Sequence, residues 1–430
     1  MEPTLPPPEP TQAALPVSSL IYDVRVLLFL FVALRLMLLM AYEPLVIGGN
    51  ERGLSAGGDR PYHYALMQLT DAGDWPFRDW WSEFPPVWFI TGGLVYQGLG
   101  NNVSYSNWTI AMSLILLLCE VGNLLLVRSI GSRLHGRATG TALAWIYALL
   151  AVPIVQMWWN FESMVAFTLL LSLWWLIQGR INASGIMAGV GALVKFTPVL
   201  LLGAVVRYKP VKVTVRWFAL AVAVFAAAYG LLLLNNPNPQ MTTVSLVAQF
   251  GKASYESVWA LIDGNLGTGN FADAETDQVL VHYDVEGATR LYGNDAVIPS
   301  WLRLAAAGAI GLFVFMRARR TDAYGVVAFA FITMLIFFLQ SQGWSPQWLV
   351  QILPLTLLCF PTRTGVLTAI LLSGLAFAEY PFLFIRTAEL GTPGTMSGVL
   401  LMPYAAVIIL RTLLLGGIAY ALYRELRRVV

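Results

Sequence analysis

Ten apolar segments of roughly membrane-spanning length, about 20 residues each, divide this chain: 21–41, 106–128, 138–157, 160–178, 217–234, 299–316, 323–341, 345–361, 365–385 and 399–421. Lipid offers no partner to a backbone N–H or C=O, so such segments fold as helices. The chain is therefore read as an all-α polytopic membrane protein with one transmembrane domain over 20–430. Charged residues make up 12% of the 430, against the roughly 25% usual in soluble domains. A net charge of +2 implies no nucleic-acid surface. Cys119 and Cys359 both lie in apolar runs, which argues for neither a disulfide framework nor a thiolate metal site. The first 19 residues are Pro-rich and polar, with no basic stretch ahead of an apolar core. They read as a disordered cytoplasmic tail rather than a signal peptide.

Basic residues set the expected orientation. They cluster at Arg128/Arg133/Arg137, Arg207/Lys209/Lys212/Arg216, Arg317/Arg319/Arg320, Arg363 and Arg424/Arg427/Arg428. With these all in the cytoplasm, ten helices alternate and both termini lie inside the plasma membrane. Two sizeable extracytoplasmic loops follow: 42–86, whose outside stretch continues to 105, and 235–298. The turns near Asn160, at Gln342–Gly343 and at 386–398 share that face. The second loop carries Asp263, Asp273, Glu275, Asp277, Asp284, Glu286 and Asp295 against Lys252 and Arg290, with Tyr255, Trp259, Tyr283 and Tyr292 interspersed. A structureless loop of that length is unusual, so short helices packed over the bundle are expected. No internal repeat of the transporter kind is visible.

Two further apolar runs behave differently. Segment 184–206 has Arg180 on one side and Arg207 on the other, so a single crossing puts one basic flank outside. Gly191, Lys195 and Pro198 interrupt its middle. Two half-helices that dip in and return, with Lys195 near the tip, are expected; irregular backbone at that depth has to be buried in protein or line a cavity. The run 86–100 is also short and reads as re-entrant or interfacial. The alternative is twelve shorter crossings.

After the first helix comes GGDRPYHYALMQLTDAGDWPFRDWWSEFPP (57–86), a polar and aromatic stretch in an apolar protein. It suggests an active site at the membrane surface. Asp59 follows a Gly pair and precedes Arg60 and His63, where a carboxylate can act as general base. Asp before Arg60–Pro61 also suits a helix N-cap, and the two roles are compatible. Asp71 and Asp74 flank a helix-ending turn and read as solvated. Asp79 and Glu83 are four apart and share a face if that stretch is helical. They stand beside Arg78, Trp80 and Trp81. Aromatic belts are ordinary at an interface, but carboxylates among rings and next to an Arg favour a carbohydrate or phosphate site. Tyr62 and Tyr64 join the candidate substrate-binding set.

Lys195 is costly inside an apolar run, by roughly 2.5–3.5 kcal/mol on insertion scales. It marks a pathway or a bound counter-charge, unless it snorkels; an anion there can be shared with His63, Arg60 and Arg78. Glu162, in WWNFES, is either a first-turn carboxylate favoured by the helix dipole or a site residue. Glu120 is expected to hydrogen-bond another helix. GWSPQW (343–348) breaks two helices and offers Trp344, Ser345, Gln347 and Trp348, though a Pro-initiated helix start explains it equally. No zinc spacing, Gly-rich phosphate loop or GxSxG elbow occurs. No cofactor is expected; a divalent metal is possible, but no spacing demands one.

Three motifs together carry a resemblance: the stretch from GGDRPYHY to EFPP, the run GIMAGVGALVKFTP, and GWSPQW. The chain resembles the membrane-embedded GT-C glycosyltransferases, and within them the bacterial, GT87-like branch that uses polyprenyl-phosphate mannose. The motifs occur in family order across 20–361. The resemblance implies a GT-C-like bundle of 10–12 helices and an inverting hexosyltransferase, with a polyprenyl-phosphate sugar as donor and a glycan or glycolipid as acceptor. It places the catalytic carboxylate on the first outside loop, at Asp59, and matches Lys195 to the branch's intramembrane Lys. In physical terms Asp59 takes the proton of the attacking hydroxyl, and Lys195, with Arg60 or His63, neutralises the departing phosphate. A transporter or flippase for a lipid-linked saccharide is the alternative from another class. A ligase-like cell-envelope enzyme is a third, kept open by loop 235–298.

Overall fold

The computed structural model describes residues 17–47, 50–56, 58–250, 252–269 and 279–429. The expected tail at 1–19 lies outside these, except that 17–19 open a short helix, Val17–Tyr22. Gly57, and Asp273, Glu275 and Asp277 of the second loop, also fall outside.

Between its loops and turns the described chain forms helices and one small antiparallel hairpin, Leu45–Ile47 against Asn50–Arg52. Seven helices are long and apolar enough to cross a membrane: Val24–Ala41, Tyr105–His135, Val211–Leu233, Ser300–Arg317, Ala323–Gln340, Arg363–Glu389 and Gly398–Leu426. An eighth span is a pair, Arg137–Leu149 and Ala151–Trp158, bent by 60°. Pro153 has no N–H for the carbonyl of Leu149, so the helix breaks there. The two remaining expected spans are shorter helices, Glu162–Ile177 and Pro346–Cys359. Both begin at the cavity described below. Several caps are visible in the sequence: Ser104, Asp322 and Thr362 each accept a first-turn N–H.

The basic clusters gather at one end of the bundle. Arg133 reaches the carbonyl of Ile177 at 3.3 Å, His135 that of Leu358 at 2.7 Å, and Arg207 that of Ala318. The Arg319 N–H meets the Leu426 carbonyl at 2.7 Å. The long loops occupy the other end.

Segment 181–208 returns to the level at which it starts. Helix Ile181–Ala192 lies antiparallel to Glu162–Ile177, with Ser172 bonded to Ser184 and Gly191 against Thr168. It lies parallel to Val211–Leu233, because Gly185 meets Trp217 and Gly189 meets Ala221. The intervening stretch, through Leu202–Tyr208, therefore runs back, and residues 193–196 form the tip. The glycines permit this close approach: a Cβ on Gly189 would lie 2.6 Å from the Ala221 carbonyl oxygen. Gly189→Val is expected to push the two helices apart and to cost about 1–3 kcal/mol, read as a lower melting temperature in detergent. An unchanged melting temperature would contradict this packing.

The short helix Pro86–Leu99 docks on the same tip, where the Val87 N–H meets the Leu193 carbonyl at 2.9 Å. Loop 235–298 carries the expected short helices, Pro239–Val244 and Val258–Asp263. It is knitted to the bundle by Tyr255 against Gln342 and Trp344, and by Leu266 against Met396. Glu120 is held as expected, by Tyr147 of a neighbouring helix at 2.7 Å and by Asn123 at 3.0 Å.

Candidate active site

A cavity of about 730 Å³ opens at the loop-bearing end. Four pieces converge on it: the start of helix Arg60–Gln68, the turn at Trp159–Asn160 leading into Glu162, the re-entrant tip, and the Ser345–Trp348 turn. The second loop adds Lys252, Tyr255 and Glu256.

Asp59 occupies the N-cap position of Arg60–Gln68, with Pro61 in the first turn, but its side chain caps nothing. It faces the cavity instead. Its Oδ2 accepts from Asn160 Nδ2 at 3.2 Å and, at the outer limit, from Gln347 Nε2 at 3.5 Å. Gly58 makes the approach possible, since a Cβ there would lie 2.5 Å from the Cβ of Trp159. Burial raises the Asp59 pKa above the ordinary carboxylate value; the Asn160 bond opposes that, as do the charges of Lys252 and Lys195, while Glu83 reinforces it.

Glu162 and Lys195 meet because their helices form an antiparallel pair joined by the turn at 178–180. The Lys195 ammonium donates to Glu162 Oε1, and Gln351 donates to Oε2. Thr197 then donates to Gln351 Oε1 at 2.8 Å. Glu162 sits in the first turn of its helix and also lines the cavity. The Lys195 ammonium also lies 4.5 Å from the centre of the Trp348 ring and 5.8 Å from that of Phe84.

Tyr62, Glu83 and Gln347 line the cavity as well. The Tyr62 hydroxyl stands between Glu83 Oε2, at 3.3 Å, and His282 Nε2. His282 Nδ1 lies 2.5 Å from the Trp81 carbonyl, a contact only an N–H satisfies, so Nε2 is the acceptor. Burial pulls the His282 pKa down to about 4, which keeps the ring neutral. Burial pushes Glu83 up and Lys252 down.

Six expected site residues lie elsewhere. Arg60 is fully buried, donates from Nε to the Trp158 carbonyl at 2.7 Å and packs over Trp88. His63 accepts from Trp88 Nε1 at 3.2 Å, and burial holds its pKa well below the usual value, so it is a neutral core residue. Arg78 is exposed and pairs with Asp79 at 2.7 Å, while Asp79 also accepts the Trp75 N–H. The stretch after Asp79 is not helical, so Asp79 and Glu83 diverge. Tyr64 donates to the Val103 carbonyl at 2.5 Å. Trp344 stacks under Arg411, 4.5 Å from the ring centre. Trp80 and Trp81 are fully buried, which makes them packing residues rather than sugar platforms. Arg60→Ala is expected to lower the melting temperature without changing the KM for a donor; a selective rise in KM would put Arg60 back in the site.

Sequence reasoning missed Glu256, Arg303 and Tyr380, and treated Lys252 and Tyr255 only as loop composition and Asn160 only as a turn. Glu256 adopts a left-handed φ of 48°, which a non-glycine residue takes only at a cost. Arg411 holds it there by donating to its carbonyl while pairing with Glu379. Nothing in a linear pattern announces this, because Arg411 lies 155 residues away. Among the described residues, no cluster of three or more His, Cys, Asp or Glu side chains is placed to hold a metal ion.

The site is thus a helical bundle with a carboxylate and an ion-paired lysine facing one cavity at its loop-bearing end. Residues 102–341, more than half of the chain, match the family model described as Glycosyltransferase family 87. The chain belongs to glycosyltransferase family 87. No curated protein matches it. Similar solved structures include the apo oligosaccharyltransferase of Archaeoglobus fulgidus, with 12% identity and TM-score 0.43 over 94% of this chain and 56% of that one. The chain thus spans little more than half of that enzyme. ArnT from Cupriavidus metallidurans bound to undecaprenyl phosphate has 16% identity and TM-score 0.45, over 93% of this chain and 77% of that one. The apo state of ArnT has 13% identity and TM-score 0.44, over 96% and 76%.

Proposed function

We propose that this glycosyltransferase moves a hexose, with mannose the expected sugar, from a polyprenyl-phosphate donor to an extracytoplasmic glycan or lipid acceptor, with inversion at the anomeric carbon. One observation carries the reading: the Asp59 carboxylate, unused as a cap, faces a cavity that also holds the Lys195 ammonium. Asp59 accepts the proton of the acceptor hydroxyl as its oxygen attacks the anomeric carbon. The bond from that carbon to the lipid phosphate breaks, and Lys195 donates to the phosphate oxygens as negative charge develops. Glu162 and Gln351 fix the ammonium so that it need not reorganise during the reaction. Glu83, Tyr62 and Gln347 bind sugar hydroxyls.

The membrane is the plasma membrane, with the loop-bearing end outside. The basic clusters collected at the opposite end support this orientation, with both termini inside. The experiment uses purified protein in vesicles with radiolabelled polyprenyl-phosphate mannose and a membrane-extract acceptor. Labelled product with inverted linkage is the expected result. Movement of the lipid between leaflets without product would favour the flippase reading instead.

A further inference from the structure

The first and second loops are joined at Trp81 and His282. The Trp81 N–H donates to the His282 carbonyl at 3.0 Å, and His282 Nδ1 returns a bond to the Trp81 carbonyl at 2.5 Å. Trp81 Nε1 donates to the carbonyls of Val281 and Asp284 at 3.2 and 2.9 Å. The two rings lie 4.3 Å apart, and both residues are fully buried. His282 is thereby fixed in place and in tautomer. A carbonyl only accepts, so Nδ1 carries the proton and the neutral ring offers Nε2 as an acceptor.

That tautomer dictates the bonds beyond it. A tyrosine hydroxyl has one proton to give, and Nε2 takes it from Tyr62. Nothing is left to donate across the 3.3 Å between the Tyr62 oxygen and Glu83 Oε2. A hydrogen bond forms there only when Glu83 supplies the proton; an ionised Glu83 would set two acceptor oxygens against each other. Glu83 is 4% exposed, and burial disfavours its charge. Tyr62, Asp59 and Lys252 face Glu83, with His282 behind Tyr62. Lys252 favours an ionised Glu83, and the charge of Asp59 opposes it. His63 and Lys252 face His282 in turn.

We infer that His282 is a positioning residue: through Tyr62 it holds Glu83 as a neutral carboxylic acid, so that Glu83 adds no negative charge against that of Asp59. The inference rests on the proposed function for the role of Asp59 as base. Two carboxyl groups in one cavity then have separate tasks, as environment can assign them. Asp59 takes a proton, and Glu83 keeps its own while it binds sugar hydroxyls.

Infrared difference spectra of wild type minus Glu83→Gln, in detergent at neutral pH, read the protonation of Glu83 directly. The C=O stretch of a carboxylic acid is the expected signal; the paired stretches of a carboxylate in its place overturn the inference. In His282→Phe, which cannot accept, the Tyr62 hydroxyl turns to Glu83 and favours its ionised form. The same difference taken in that background is expected to show carboxylate. An acid band in both backgrounds removes His282 from the account and overturns the inference as well. Should His282→Phe fail to fold, nitrogen-15 NMR of wild type labelled at its three histidines decides, with His282 assigned by its contact to the Trp81 ring. A neutral ring protonated at Nδ1 supports the inference, and a proton on Nε2 sinks it, because Tyr62 then donates to Glu83. In the transfer assay, His282→Phe is expected to move the acid limb of the kcat/KM profile to higher pH, since an ionised Glu83 disfavours an ionised Asp59. In the Glu83→Gln background that shift should vanish; a shift that persists there counts against the inference. The spectra need no turnover, so a neutral Glu83 in a protein without transferase activity separates this inference from the proposed function.

Discussion

Asp59→Asn loses glycosyl transfer by about a hundred- to ten-thousandfold, the range that a positioned general base contributes, while its melting temperature and its affinity for the lipid donor stay close to wild type. The substitution is nearly isosteric, and an amide oxygen still accepts from Asn160. What disappears is the capacity to take a proton. The pH profile gives an independent check. The base works ionised, and burial raises its pKa above the ordinary value near 4. The kcat/KM of wild type therefore falls on acidification, starting at a higher pH than a solvated aspartate would give. Equal turnover by both proteins would remove Asp59 as the base. Glu83 would then be the candidate, because Asp79 lies outside the cavity and Glu162 is spent on Lys195 and Gln351.

The second large effect concerns that ion pair. Glu162 is 1% exposed and the Lys195 side chain 11%. Glu162→Ala strands a buried ammonium and leaves the Gln351 amide without its acceptor. Removing one partner of a buried pair costs about 3–5 kcal/mol. The loss should appear as a sharply lower melting temperature in detergent. Glu162→Leu with Lys195→Met, which removes both charges, is expected to recover much of the stability and none of the transfer. A double-mutant cycle with no coupling between the two positions would show that the pair is incidental.

The helical scaffold was legible because the bilayer imposes length and apolarity on each crossing, and most expected spans appear within a few residues. Segment 184–206 was legible for another reason: two basic flanks and a broken middle left few ways to place it. The spans expected at 160–178 and 345–361 appear as Glu162–Ile177 and Pro346–Cys359, each end within two residues of the expectation. Of the cavity lining, Asp59, Lys195, Glu162, Glu83, Tyr62 and Gln347 were legible in the sequence because polar side chains beside apolar runs stand out. The same signal misled at Arg60 and His63, which are polar residues absorbed into an aromatic core with Trp88. Glu256 and Arg303 escaped notice. Their burial depends on Arg411 and on the path of the second loop, contacts that no spacing in the chain encodes.

The returning segment at 181–208 also bears on how the protein is made. It adds no net crossing, so everything after Val211 inherits its orientation from this one retreat. During insertion, a chain that ran straight through here would thread every later helix upside down. Gln347 and Arg303 would then be delivered to the opposite side of the membrane from Asp59. The small residues that seat Ile181–Ala192 beside Val211–Leu233 thus do more than hold two helices together. They help to keep the return in place that leaves Asp59, Arg303 and Gln347 lining one cavity.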